Sequence, residues 1–214
     1  MSGIGILILA AGASTRLGQP KQLLSYQGKP LIRQMAEVAI CASSFRAAPL
    51  TQQRFAIASG CQPIGVVLGA YAETIEPHLA DLDIHIICNE QWSTGMAGSI
   101  QCGLRNMLAI SPELNAIILM VCDQPFVSPM LIHQLICGYQ ISNYPIVASE
   151  YAGILGVPAL FHRTFFPKLF SLQGDVGAKS IIRQHRSRSL GISFIEGAID
   201  LDIPQNLDIL LSLV

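Results

Sequence analysis

The residues best suited to binding a negatively charged group lie early in the chain, between positions 9 and 24. This stretch contains two cations, Arg16 and Lys21, among small residues, glycines and hydroxyl groups. Gly12 and Ala13 have little or no side chain, so backbone N–H groups here can approach a ligand closely. These features favour a loop that binds a polyphosphate and neutralises its charge. The alternative is a solvated loop between a strand and a helix.

The loop matches neither of the two common glycine-rich phosphate motifs. It contains no Gly-Lys-Ser/Thr at the Walker spacing and no Gly-x-Gly-x-x-Gly. It follows an apolar run over residues 4–9, which predicts one buried strand that ends where the loop begins. Any phosphate site here must therefore be built in another way, at the end of that strand.

Three aspartates could hold a divalent metal ion. Asp123 directly follows the apolar run 116–122, which places it at the carboxyl end of a predicted strand; the alternative is an Asx turn before Pro125. A magnesium ion bound with substrate phosphates needs one or two carboxylates. Asp200 and Asp202 lie two positions apart in an extended segment, so both could point to one metal. We favour Asp200, because Asp202 is also suited to cap the last helix.

Two other segments place small residues at the start of a predicted helix. Residues 95–99 open a helix whose inner face is expected to carry Met96, Ile100, Leu104 and Met107. Residues 173–179 place Asp175 between two glycines where another helix begins. Either helix start could accept an anion, and the first could also accept a nucleotide ring. The alternatives are close packing of helix against sheet for the first and an ordinary helix cap for the second.

The elements that must position these residues form an alternating pattern. Predicted strands cover residues 4–9, 63–68, 84–88, 116–122, 145–149 and 190–195. Predicted helices lie between most of them, which favours a mostly parallel sheet covered on both faces. We therefore expect an α/β fold, a three-layer α/β/α arrangement with a mixed, mostly parallel Rossmann-like sheet. Residues 1–214 are expected to form a single domain.

Composition restricts the classes of partner. Charged residues make up 13% of the chain and the net charge is -1, which argues against a nucleic-acid surface or electrostatic membrane attachment. The uncharged segment 55–72 is interrupted by polar residues, proline and glycine, so it is unsuited to span a membrane. Six cysteines occur without a Cys-x-x-Cys pair, and no signal peptide pattern is present. We expect a cytoplasmic protein with reduced thiols and neither nucleic-acid nor membrane partners.

The motif Leu-Ala-Ala-Gly-x-Ser-x-Arg-Leu-Gly-x-Pro-Lys, at residues 9–21, carries a resemblance. It closely resembles the signature of nucleotidyltransferases that share a glycosyltransferase-A-like fold. Within them, the chain looks most like the molybdenum cofactor cytidylyltransferase branch of the MobA-like NTP transferase family. Further segments resemble motifs of that family at residues 89–96, 122–125, 174–178 and 200–207. The resemblance covers nearly the whole chain apart from residues 43–59, which look like an insertion.

The resemblance implies transfer of a nucleoside monophosphate from a nucleoside triphosphate to a phosphate oxygen, with release of pyrophosphate. The residues implied in nucleotide binding are Leu9, Ala10, Ala11, Gly12, Ala13, Ser14, Arg16, Lys21, Gly95, Met96 and Ser99. Arg16 and Lys21 are the implied catalytic residues, the first holding pyrophosphate and the second stabilising charge at the α-phosphate. Mg²⁺ is the implied cofactor, held by Asp123 and Asp200. Ala11 favours CTP, because guanylyl relatives tend to have glycine at that position.

The acceptor is less well defined by the resemblance. The residues implied in acceptor binding are Gly156, Val157, Pro158, Gly174, Asp175 and Gly177. By analogy the acceptor is the terminal phosphate of molybdopterin, with a molybdenum hydroxylase as a further partner. Residues 153–158 resemble a loop motif of the family, in which Val157 stands where histidine is usual. This difference leaves three alternatives open. These are another small phosphate such as a sugar phosphate, GTP-dependent guanylyl transfer to molybdopterin, and a non-catalytic protein that delivers the molybdenum cofactor.

Overall fold

The structure, a computed structural model, describes residues 3–15, 17–44 and 61–199. The strands are β1 (Gly3–Ala10), β2 (Ser25–Tyr26), β3 (Lys29–Pro30), β4 (Ile64–Leu68), β5 (His85–Cys88), β6 (Leu114–Val121), β7 (Ile146–Tyr151), β8 (Ile154–His162) and β9 (Ser189–Ser193). The α-helices are α1 (Leu31–Ser44), α2 (Ala72–Ile75), α3 (Met96–Ile110), α4 (Pro129–Ile141), α5 (Phe166–Phe170) and α6 (Lys179–Gln184). Arg16, Asp200, Asp202 and most of the segment 43–59 lie outside the described residues.

The described strands form a seven-stranded sheet and a small two-stranded one. The large sheet has the order β5-β4-β1-β6-β8-β7-β9, and β2 pairs with β3 in the small one. Strand β8 runs antiparallel to both of its neighbours, whereas the other pairs in the large sheet are parallel. The prediction of a mixed, mostly parallel sheet is confirmed. Each predicted strand is present, with both ends within two residues of the predicted ones.

Strand β8 is the element that the sequence pattern did not predict as a strand. Residues 153–158 were expected as a loop, but β7 and β8 form a hairpin across Ala152 and Gly153. Both turn residues have positive φ angles, 50° and 74°, as a two-residue type I′ turn requires. Residues 154–158 therefore belong to a strand of the large sheet and not to a loop.

Helices cover both faces of the large sheet and give the predicted three layers. The side chains of β1 alternate: Ile6 and Ile8 pack with α1 and α4, whereas Leu7 packs with α3 on the opposite face. Helices α5 and α6 complete the layer that contains α3. The sheet is thus buried on both faces, as the uninterrupted apolar runs of its strands indicate.

The cysteines are distributed between the core and the surface of the protein. The cysteines are all free thiols, but Cys41 and Cys88 are exposed, so the thiols are not mostly part of the core. Burial raises the pKa of Cys61 to about 12 and keeps its thiol protonated.

In the part of the chain that the structure describes, no helix is both long and apolar enough to cross a membrane.

Ile118 lies in β6 with no exposed surface, in the core between the sheet and the α1–α4 layer. Ile118→Ala should lower the free energy of unfolding by about 2–5 kcal/mol, because it removes buried methyl groups and leaves a cavity. Ile141→Ala is the matched control, since Ile141 is 68% exposed. Urea denaturation measures both variants, and similar losses would contradict this assignment of the core.

Candidate functional site

Adjacent strands bring the first loop and Asp123 together. Strands β1 and β6 are parallel neighbours, and Leu9 pairs with Val121 near their carboxyl ends. The chain leaves β1 into the loop that contains Gly12, and it leaves β6 directly into Cys122 and Asp123. Because parallel strands end at the same edge of a sheet, both segments border one crevice.

An ion pair joins these two segments. Lys21 begins a short 3₁₀ turn after the loop, and its Nζ lies 2.5 Å from Oδ2 of Asp123. Both side chains are only 17% exposed, although the two residues are 102 positions apart in the sequence. A single ammonium and a single carboxylate therefore face the same ligand space, which suits a ligand with both phosphate oxygens and a bound cation.

Gln22 braces the loop from behind. Its side chain is almost fully buried, and Nε2 donates to the carbonyl oxygens of Ala10 at 2.9 Å and Gly12 at 2.8 Å. The Ser14 hydroxyl oxygen accepts a hydrogen bond from the Lys21 N–H at 3.1 Å, which closes the loop. The role of Gln22 was not predicted from the sequence, because neither residue type nor spacing distinguishes a buried glutamine that supports a loop from an exposed one.

The loop leaves backbone donors available to a ligand. Within the described residues, the N–H groups of Gly12 and Ala13 donate to no protein acceptor. A methyl group added at Gly12 would meet no atom within 4 Å, so the space in front of this backbone is open. Small residues here thus give a ligand access to the main chain, as a phosphate site requires.

The two other predicted segments pack against each other. Gly95 begins α3 with a φ of 105°, and an added Cβ would lie 2.4 Å from the Gly174 carbonyl oxygen. That oxygen accepts a hydrogen bond from the Ala97 N–H at 3.0 Å. Part of the N-terminus of α3 is therefore capped by the 173–177 turn. The close contact and the positive φ angle explain why position 95 needs glycine, and the contact fixes Asp175 beside the start of α3.

The first cavity combines most of the implied nucleotide-binding residues. It measures about 310 Å³ and is lined by Leu9, Ala10, Ala11, Gly12, Ala13, Lys21, Gln22, Trp92, Ser93, Gly95, Met96, Ser99, Val121, Cys122, Asp123 and Asp175. Ser14 does not line it and instead closes the loop. Met96 is 44% exposed in this cavity, so its assignment to the inner face of α3 was wrong. Trp92 packs against the core and also lines the cavity.

A second cavity adjoins the first and contains part of the implied acceptor set. It measures about 300 Å³ and shares Leu9, Met96, Val121, Asp123 and Asp175 with the first. Val157, Gly177, Tyr151 and Lys179 complete much of its wall. Gly156 and Pro158 do not line it: Gly156 packs against Tyr151, and the Pro158 carbonyl accepts from the Ser149 hydroxyl at 2.8 Å.

The described residues offer oxygen ligands suited to a hard divalent cation. Among these residues, no group of three or more histidine, cysteine, aspartate or glutamate side chains is close enough together to hold a metal ion by itself. Asp123 and Asp175 nevertheless line both cavities. Magnesium in a phosphate site usually takes one or two carboxylates, with water and phosphate oxygens as the other ligands. The donor set therefore fits such an ion, with Asp123 the more enclosed of the two carboxylates.

Comparison with known proteins identifies a family whose model matches most of the chain. The model of the MobA-like NTP transferase domain matches residues 6–189. The chain is 29% identical to nicotine blue oxidoreductase of Paenarthrobacter nicotinovorans over 83% of this chain and 80% of that protein. It is 28% identical to purine catabolism protein PucB of Bacillus subtilis (strain 168) over 96% of this chain and 94% of that one. Rv0371c of Mycobacterium tuberculosis, solved as a manganese complex, has a TM-score of 0.77 and 25% identity, with both chains fully covered.

The brace formed by Gln22 can be tested directly. Gln22→Leu should lower the free energy of unfolding by about 1–3 kcal/mol, because the buried carbonyl of Ala10 and the partly buried carbonyl of Gly12 lose their donor. Gln134→Leu is the control, since Gln134 is exposed on α4. Urea unfolding followed by the fluorescence of Trp92, the only tryptophan, measures both variants. Equal stability of the two would show that the loop does not depend on Gln22.

Proposed function

The chain belongs to the family of MobA-like NTP transferase domains, and on that basis we propose that it transfers CMP from CTP to the terminal phosphate of molybdopterin. Pyrophosphate is the second product. The observation that carries the proposal is the Lys21–Asp123 pair, at 2.5 Å, beside the open backbone of Gly12. We further propose that residues 1–214 act as one nucleotidyltransferase domain in the cytoplasm, with a molybdenum hydroxylase receiving the product.

The reaction requires charge stabilisation more than covalent chemistry from the protein. An oxygen of the acceptor phosphate attacks the α-phosphorus of CTP, forming a new P–O bond as the bond to pyrophosphate breaks. Negative charge grows on the oxygens around that phosphorus, so fixed positive groups and N–H donors lower the barrier. In this proposal Lys21 and the N–H groups of Gly12 and Ala13 supply them. Arg16, outside the described residues, holds the pyrophosphate.

The ion pair gives both partners a defined role when the substrate binds. Without substrate, the carboxylate of Asp123 and the ammonium of Lys21 neutralise each other in a partly enclosed site. A bound triphosphate offers Lys21 phosphate oxygens as partners. Asp123 is then free to serve as a metal ligand, with Asp200 as the second. When bound, Mg²⁺ would add positive charge beside the α-phosphate; the manganese complex of Rv0371c supports a divalent ion.

The surroundings of Ala11 support the choice of cytosine. The Ala11 carbonyl accepts a hydrogen bond from the Ala70 N–H at 3.2 Å, which holds this part of the loop in place. A Cβ added at Gly69 would lie 2.9 Å from the Ala11 Cβ and 2.6 Å from the Trp92 Cβ. The Ala11 methyl group therefore has little freedom to move away from a base. That restriction favours the smaller pyrimidine over a purine.

The second cavity supports an acceptor with a flat ring. Tyr151 and Val157 provide aromatic and aliphatic surface, and Lys179 provides a cation. A pterin with a phosphate presents both kinds of group. Val157 in place of the usual histidine removes a polar contact, so in this proposal the ring is held by packing and by charge on its substituents.

Pyrophosphate release tests the substrates. CTP, GTP, ATP and UTP are compared, each with and without molybdenum-loaded molybdopterin, in magnesium and in manganese. We expect release only when the pterin is present, with CTP preferred over GTP by about tenfold or more, a range that one methyl group can supply. Release with CTP and a sugar phosphate, but not with CTP and the pterin, would show that the acceptor is a sugar phosphate. Tight pterin binding without any release would favour a delivery protein.

The two charged residues give the mutational test. Lys21→Ala and Asp123→Asn should each lower kcat by about 10²–10³-fold, because each removes a charge that acts on the transition state. Lys29→Ala and Asp83→Asn are matched controls on the surface, with both side chains exposed. Circular dichroism and Trp92 fluorescence check folding. Near-normal rates in the folded Lys21 and Asp123 variants would refute the assignment.

A further inference from the structure

A third cavity lies beside the second and carries several positive charges. It measures about 570 Å³ and is lined by Gly153, Ile154, Leu155, Gly177, Lys179, Ser180, Arg183 and Arg186. Three of these eight residues are cations, and none is acidic. We refer to this cavity as the basic groove. None of the roles assigned above accounts for Arg183 or Arg186.

The basic groove is a local exception in a chain with nearly balanced charge. The whole chain has 13 Lys and Arg against 14 Asp and Glu, whereas residues 176–195 contain four Lys and Arg and no acid. Among the described residues, neither Lys179 nor Arg183 forms an ion pair with a carboxylate. Arg186 reaches Glu150 only at 3.5 Å, with both side chains largely exposed. The groove therefore keeps a net positive charge, which attracts an anion.

Lys179 connects the basic groove to the second cavity. It lines both of them, as does Gly177. The Lys179 ammonium lies 5.4 Å from the centre of the Tyr151 ring, which holds it at the boundary by a cation–π contact. The two cavities therefore lie side by side, within reach of one elongated ligand.

The arrangement of cations on α6 becomes more favourable when an anion is bound. Lys179 and Arg183 are separated by one helical turn, and like charges at this spacing repel each other. An anion placed between them would replace repulsion with two charge-assisted hydrogen bonds. The repulsion and the missing carboxylate partners together point to a ligand rather than to a structural role.

The opposite wall is apolar and held in place by the fold. Ile154 is 48% exposed, and Leu155 lies beside it on β8. The tight turn at Ala152 and Gly153 joins β7 to β8 and fixes the position of this wall. The groove thus presents cations on one side and aliphatic surface on the other. It suits an anionic group attached to a ring or carbon skeleton.

We propose that the basic groove binds a second anionic group of the acceptor, an oxyanion or carboxylate, while the acceptor phosphate lies near Lys21 and Asp123. The inference rests on the proposed nucleotidyl transfer, and it narrows the acceptor to molecules with two separated anionic groups. Molybdenum-loaded molybdopterin meets this description, because its metal end bears oxo and thiolate ligands. A simple sugar monophosphate does not.

Kinetics of Arg183→Gln provide the first arm of the test. The KM for molybdenum-loaded molybdopterin should rise about tenfold, the loss expected for one charge-assisted contact, while kcat and the KM for CTP stay within about twofold. Arg105→Gln is the control, because Arg105 is an exposed arginine of α3 that does not line the groove. Sulfate should inhibit the native protein competitively with the acceptor, and it should inhibit Arg183→Gln less.

Binding of sulfate provides a second arm that needs no turnover. In ¹⁵N-labelled protein, the Nε–H resonance of Arg183 should shift on titration with sulfate at constant ionic strength. The shift should be lost in Lys179→Met, and the Arg105 resonance should not move.

The combined outcomes separate the two proposals. A shift at Arg183 without pyrophosphate release from any nucleotide would refute the proposed function and support the anion site alone. Turnover with an unchanged acceptor KM in Arg183→Gln would overturn the acceptor assignment, whatever sulfate does. Turnover with no resonance shift would overturn the anion site.

Discussion

The contact between Lys21 and Asp123 depends on the order of strands in the sheet. The two residues are 102 positions apart, and they meet because β1 and β6 are parallel neighbours that end at one edge. Each strand then passes directly into a functional segment, so a one-residue shift in register would separate the ammonium from the carboxylate. The buried apolar runs of both strands fix that register, since a slip would turn core side chains toward the wrong layer. The packing of the core and the geometry of the site therefore both depend on the register of β1 and β6.

The sequence predicted those parts of the site that follow directly from a strand or a motif. The loop around Gly12, the position of Asp123 after a strand and the layered architecture all depend on local patterns, and the structure places them as expected. Gln22 could not be predicted, because its role comes from two carbonyl groups that approach it only in the fold. Met96 was placed on the wrong side of α3, since periodicity does not show that a helix's first turn faces a cavity.

The segments implied in acceptor binding, residues 153–158 and 173–177, show what comparison of motifs alone does not predict. Residues 153–158 resemble a loop motif, yet they form the start of β8 because the turn at Ala152 and Gly153 suits a hairpin. The same strand places Val157 in the second cavity and Ile154 beside the basic groove. The 173–177 turn was expected to bind an anion, but its Gly174 carbonyl caps α3. Both segments therefore also have structural roles, which depend on tertiary contacts and could not be predicted from their composition.

In the proposed acceptor region, Val157 and the positive charges of α6 lie in two neighbouring cavities that share Lys179. An apolar side chain at position 157 cannot orient a substrate by hydrogen bonds, so orientation must come from elsewhere. Lys179 supplies one fixed charge at the boundary of two cavities, held over Tyr151, and Arg183 supplies another one turn further along α6. In the proposed arrangement these two cations hold one end of the acceptor while Lys21 lies at its phosphate, so charges at a defined separation orient the elongated anion. In the proposed function, selection by the spacing of charges would thus take the place of selection by a polar contact at position 157.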